Sequence, residues 1–130
     1  MKLELKENMY IRTKDGHIDK ILLVEYAEEK RQQYPNHPSK KYWRDKILLL
    51  KAGYWRTTQN IIKASHNIID ILQVGDVITT NNLCGEITKI DIENNKIWIA
   101  CCDYETCSAE DIKSIVTKEQ MEQMAYKVEE

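Results

Sequence analysis

The chain has no phenylalanine, only four glycines and two prolines, and no long apolar run. Each shortage excludes something. A membrane-spanning helix needs roughly 18 or more consecutive apolar residues, and no stretch here approaches that length. Residues 1–7, MKLELKE, alternate charge with leucine and offer no apolar stretch of the kind a secretory signal requires. The chain is therefore expected to stay in the cytoplasm where it is made. The glycines Gly16, Gly53, Gly75 and Gly85 stand alone, so there is no P-loop and no G-x-G-x-x-G turn. G-x-S-x-G is missing as well. Any phosphate must be held by side chains.

Cysteine and histidine carry little chemistry. Cys84, Cys101, Cys102 and Cys107 could close two bridges, but a reducing compartment favours free thiols. Adjacent Cys101 and Cys102 would point to opposite faces of a strand, so both cannot easily serve one metal. His17, His37 and His66 match neither H-x3-H nor H-E-x-x-H. His17, beside Asp15 in a turn, reads as a surface residue. No metal, cofactor or catalytic residue is expected.

What is present fits one folded domain. The 130 residues are the length of a single domain, taken as 1–130, and 42% apolar with 31% charged residues is a folding composition. A mean hydropathy of -0.57 suits a soluble protein. The net charge of -2 conceals two opposed parts. Between residues 30 and 63 nine bases face one acid, Asp45, giving +8; the other ten bases face twenty acids, giving -10. A protein that tracks long nucleic acid usually carries an overall basic field, which this one lacks. A local cationic strip suits a small phosphorylated ligand, or a partner protein of opposite charge.

Tyr34, Tyr42, Trp43, Tyr54 and Trp55 lie in that strip, interleaved with Arg44 and Arg56. Stacking on an aromatic is worth roughly 1 to 3 kcal/mol per base, and a charge-assisted hydrogen bond roughly 1.5 to 3. The same aromatics equally suit the rim of a core or an oligomer interface.

Along the chain, 9–13 and 18–26 read as a hairpin about a turn at 14–17. Residues 27–41 contain both prolines and read as a long exposed loop. Residues 42–51 read as a strand, Gly53 as a turn, and 54–60 as a further extended run. Ser65-His66-Asn67 offers capping oxygens to the short apolar turn 68–72. Residues 77–80, 86–92 and 96–102 are strand-like. Ser108-x-x-Asp111 and Thr117-x-x-Gln120 are capping patterns, the second opening a helix over about 118–125, with a last edge strand at 126–128. Met121 and Met124 share a helix face with Val128 and read as core. The fold expected is mainly β, an antiparallel small-barrel or β-sandwich-like core of perhaps seven strands with a short C-terminal helix.

A weak internal repeat is visible. Tyr10 to Thr13 followed by Gly16 to Ile21 parallels Val77 to Thr80 followed by Gly85 to Ile90, with a turn two residues longer in the second copy when the glycines are aligned. Glycine-turn hairpins of this kind build small barrels of the Src-homology-3-like type, which more often bind than catalyse.

The stretches Asn67 to Val77 and Glu110 to Met121, with Met9 to Lys14, resemble small proteins of phages infecting Firmicutes. Among these, the chain is most similar to the phage anti-Thoeris sponges, which sequester cyclic ADP-ribose isomers made by bacterial TIR-domain proteins. The resemblance implies a non-enzymatic homo-oligomer in the host cytoplasm, with ligand pockets at subunit interfaces and, in some members, a second site for cyclic oligonucleotides. The recognised stretches do not contain the family's binding motif. Without phenylalanine, an aromatic clamp must come from Trp or Tyr.

Under this reading Arg44 and Arg56 hold pyrophosphate oxygens, and Trp43 or Trp55 stacks on adenine. Arg12, Asn82, Asn94 or Asn95 reaches ribose hydroxyls and base edges. Three rivals remain open: an anti-CRISPR-type protein inhibitor whose acidic part imitates nucleic acid, a small-barrel module for single-stranded nucleic acid, and a hydrolase of the signal.

Overall fold

The structure is a computed structural model that describes residues 4–100 and 105–124. It is mainly β and antiparallel, with a short C-terminal helix. Length argues for one core, yet the chain divides into two compact units. The first holds the residues through Lys14 and Ile18–His66; the second holds Asp15–His17 and the residues from Asn67 onward.

In the first unit, β1 (Tyr10–Thr13), β2 (Ile18–Glu25), β3 (Lys46–Leu49), β4 (Trp55–Thr57) and β5 (Ile61–Ser65) form one sheet in the order β4-β3-β2-β1-β5. Alternation in Lys46-Ile47-Leu48-Leu49 sends Ile47 and Leu49 inward, where they meet Leu5, Ile11 and Ile21. Full burial of each such side chain contributes roughly 1.5 to 3 kcal/mol.

In the second unit, β6 (Val77–Thr79), β7 (Cys84–Asp91), β8 (Lys96–Ala100), β9 (Thr106–Cys107) and β10 (Ser114–Val116) form the order β10-β6-β7-β8-β9. Ile78, Ile87, Ile97 and Ile99 are fully buried here. The buried Asp76 carboxylate accepts from the backbone N–H groups of Gln73 (2.8 Å) and Lys118 (3.0 Å). It thereby ties the strand entry to the start of helix α2 (Lys118–Met124). Both capping patterns form: Thr117 N–H donates to Gln120 Oε1 while Gln120 N–H donates to Thr117 Oγ1, and Ser108 and Asp111 close the equivalent box on a 3-10 turn at Ala109–Asp111.

The two sheets repeat one plan: the first strand lies between the second and the fifth, and a bulge interrupts the second. The hydrogen bonds match pair for pair. Asn8 N–H donates to Ile21 O and Ile21 N–H to Met9 O; Gly75 N–H donates to Ile87 O and Ile87 N–H to Asp76 O. The bulges follow at once, between Ile21 and Leu23 and between Ile87 and Lys89. The repeat is therefore real, but its register is not the one that aligned glycines give. Ile21 corresponds to Ile87, whereas the sequence alignment paired Ile18 with Ile87. The second turn is also one residue shorter, since Arg12 faces Ile18 while Thr79 faces Cys84. Gly16 sits in a turn at φ 89°, whereas Gly85 lies inside β7, and the two do different work.

Other expectations change as well. Residues 27–41 are largely exposed but not a plain loop: helix α1 spans Ala27–Gln33, and a 3-10 turn spans Lys40–Tyr42. Tyr42 is therefore outside the strand expected at 42–51. Ten strands replace seven among the described residues, because β5, β9 and β10 were not read as strands. The 3-10 turn Ile68–Ile71 forms with no side-chain cap; the Asn67 carbonyl accepts from Asp70 instead. Met124 is 75% exposed rather than core. Val128, the 126–128 strand, Ala125, Cys101 and Cys102 lie outside the described residues.

Candidate functional site

Only part of the basic aromatic strip gathers around a cleft on the first unit. Helix α1 has no side-chain cap from its own N-cap residue, Tyr26; the Ala27 N–H donates instead to Asp45 Oδ1 at 2.9 Å. From α1, Arg31 reaches the segment after the prolines: Nε donates to Lys40 O at 3.0 Å and Nη2 to Trp43 O at 2.9 Å. Nη1 lies 3.4 Å from Glu28 Oε2. Arg31 thus spends its fork on positioning Trp43.

The Trp43 indole has the Lys30 ammonium 4.5 Å from a ring centroid and the His37 ring at 5.0 Å, tilted by 48°. Beside it opens a cleft of about 300 Å³ lined by Arg31, Trp43, Arg44, Asp45, Thr57 and Gln59. Arg44 is exposed, with Nη1 donating to Trp43 O at 3.1 Å. Two guanidiniums and one carboxylate leave the cleft net positive, and Thr57 and Gln59 add groups that bond hydroxyls or amides. Nearby, the Tyr26 hydroxyl donates to Leu5 O. Its pKa is raised by burial and then by Glu4, Asp45 and Glu29.

Of the nominated residues, Trp43 and Arg44 meet in this cleft; the other six lie elsewhere. Trp55 and Arg56 are on β4, paired across from Leu48 and Ile47, and neither lines the cleft. Arg12 is fully buried in β1 and presents no guanidinium to solvent. Asn82, Asn94 and Asn95 belong to the second unit. Asn94 and Asn95 are turn residues: Asn94 donates to Asp91 at 2.7 Å, and Asn95, at φ 51°, bridges Glu110 Oε2 and the Ala109 N–H. The polar cleft residues that sequence reasoning missed are Arg31, Asp45, Thr57, Thr58 and Gln59. Only the charge of Arg31 was a signal.

Asn82 lines a second cavity of about 300 Å³, with Asn81, Thr106, Cys107, Glu110 and Lys113. The Glu110 carboxyl is held below its ordinary range by its own backbone N–H and then by Asn95 and Ser108; that of Asp111 is lowered by the backbone and side chain of Ser108. Burial, then Asp111, pushes the Cys107 thiol up, which disfavours a nucleophilic thiolate there. Cys84 and Cys107 are both free. Among the described residues no group of three or more His, Cys, Asp and Glu could hold a metal ion, and no helix is long and apolar enough to cross a membrane.

The family model for nematode insulin-related peptide beta type matches residues 77–118, less than half of the chain and the segment that contains all four cysteines. No curated protein and no solved structure matches the chain. The partial family match is a local similarity over β6 to β10, and the chain is assigned to no family.

Proposed function

We propose that this chain is a non-enzymatic binding protein that captures a compact anionic nucleotide at the Trp43 and Arg44 cleft and releases it unaltered. The observation that carries the reading is the convergence of Trp43, Arg31 and Arg44 on one cleft, with Thr57 and Gln59 beside them. The indole supplies a stacking face, Arg44 an exposed fork for phosphate oxygens, and Arg31 the frame that holds both. The phage resemblance names the ligand class as a cyclic ADP-ribose isomer and the role as removal of an immune signal in host cytoplasm.

Magnitudes limit what one chain does alone. Nanomolar capture is about -12 kcal/mol, while one stack and one charge-assisted fork supply roughly 3 to 6 before ordering costs. Tight capture therefore calls for a second copy, in keeping with a homo-oligomer.

Calorimetry with cyclic ADP-ribose isomers, followed by mass spectrometry of the heat-released ligand, tests the reading. Arg44→Ala is expected to weaken binding roughly ten- to a hundredfold, the worth of a charge-assisted hydrogen bond, while Arg56→Ala leaves it unchanged. Loss of binding in Arg56→Ala alone would move the site to β4. A released ligand of altered mass would make the protein a hydrolase. The second reading, a single-stranded nucleic-acid module, draws on the two five-stranded sheets of one plan; it requires affinity that falls steeply with salt.

A further inference from the structure

Strand β4 is an edge of the first sheet, with β3 on one side only. The Leu49 N–H donates to Tyr54 O, and Ile47 stands opposite Arg56. In an antiparallel pair, alternate residues turn their N–H and C=O towards the partner strand. Tyr54 and Arg56 therefore face β3, while Trp55 and Thr57 turn both backbone groups away from it. Among the described residues neither backbone finds a partner on that open side. The devices that commonly blunt such an edge, a proline or a bulge, are missing from β4. Its two faces carry different side chains. On the outward face Trp55 lies in a cross-strand row with Leu48 and Leu23, Trp55 being 43% and Leu23 45% exposed. Lys46 follows on the same face, opposite Thr57. Arg56 occupies the other face, half-buried and in no ion pair among the described residues. The acids nearby are already engaged: Glu25 Oε1 lies 3.5 Å from Lys30 Nζ, and Asp45 Oδ1 accepts from the Ala27 N–H.

We infer that the open side of β4 is a docking edge for an extended acidic segment of another protein, which adds to the sheet as a further strand. The backbone selects a peptide. Trp55 and Thr57 offer donors and acceptors at strand spacing, and only another strand returns both kinds in the same rhythm; a phosphodiester backbone has no donors for their carbonyls. The side chains select its sequence. Residues of the added strand set opposite Trp55 and Thr57 share the outward face, where the indole and the leucines favour apolar groups. The residue set opposite Arg56 lies on the other face, where an unpaired guanidinium favours a carboxylate. The pattern recognised is thus an apolar residue next to an acidic one. A second copy of this chain, pairing β4 with β4, would bring the same bases together and is repelled. Trp55 and Arg56 line no part of the Trp43 cleft, so the docking edge stands or falls independently of what that cleft binds.

Fluorescence anisotropy of the full chain with a labelled peptide alternating valine and glutamate tests it. Micromolar binding that weakens with salt is expected, the valines facing Trp55 and a glutamate facing Arg56. N-methylation at the valines removes the donors set against β4 and is expected to weaken binding at least tenfold, while the same modification at the glutamates, whose amides point away, is tolerated. A peptide with lysine in place of glutamate is expected to bind at least tenfold more weakly. Arg56→Glu should reverse that preference, and Trp55→Thr should weaken the glutamate peptide roughly tenfold, the common worth of an aromatic anchor. Circular dichroism checks that each variant keeps its sheet, and should one fail to fold the other decides. No binding of the glutamate peptide, or equal binding of its valine-methylated form, overturns the inference. So does an affinity that both folded variants leave unchanged.

Discussion

Gly85 is a position where the neighbouring strand leaves no room for a side chain. It lies within β7, where a Cβ would come within 2.5 Å of Ile99 Cγ2 and 2.7 Å of the Ala100 carbonyl oxygen. The backbone oxygen cannot give way without breaking the β7–β8 ladder. Gly85→Ala is expected to destabilise the chain by about 1 to 3 kcal/mol, the usual cost of overpacking, read as a lower urea midpoint with unchanged slope. Gly16 is required for another reason, since its φ of 89° belongs to a turn and a Cβ there would strike Thr117 and Glu119. Both glycines were legible as special positions. That one is a turn and the other a close approach was not, because composition records the absence of a side chain and not what would collide with it.

At the scale of elements, helix α1 explains why residues 27–41 read as loop. Its sequence, AEEKRQQ, is only two turns long, and no Ser, Thr, Asp or Asn stands at its N-cap. The missing acceptor comes from Asp45, eighteen residues further on. Short-range pattern cannot see such a cap. Asp45→Ala is expected to cost roughly 1 kcal/mol and to release α1 selectively, seen as faster amide exchange over residues 27–33 while β1 and β2 stay protected. Where caps are local, as at Ser108 with Asp111 and Thr117 with Gln120, the capping patterns were read correctly, and with the second the helix it opens. Strands β5 and β9 escaped for a related reason. Ile61–Ser65 follows β4 after three residues, and Thr106–Cys107 is two residues long, so neither offers an alternating run with clear borders.

For the whole molecule, the second unit borrows Asp15–His17 from the first hairpin. The buried Thr117 hydroxyl donates to Gly16 O at 2.7 Å, and Gln123 Nε2 donates to Asp15 O at 3.0 Å. Thr117→Val should therefore destabilise the full chain by about 1 to 2 kcal/mol, the worth of a buried hydrogen bond. In a fragment beginning at Asn67 the same substitution should cost much less, because the acceptor is already missing. Urea denaturation of the four proteins makes the comparison, and an equal cost in chain and fragment would refute the borrowed contact. Sequence by itself determined the mainly β class, the local caps, the presence of a repeat and the concentration of basic and aromatic residues in the middle of the chain. These follow from periodicity, short-range hydrogen bonding and composition. Only tertiary structure decided that the repeat forms two sheets with a shifted register, that Trp43 and Arg44 share a cleft without Trp55 and Arg56, and that Arg12 is buried. Those outcomes rest on bulges, on contacts between residues far apart in the chain, and on which face of a strand meets the core, and none of these is a property of neighbouring residues alone.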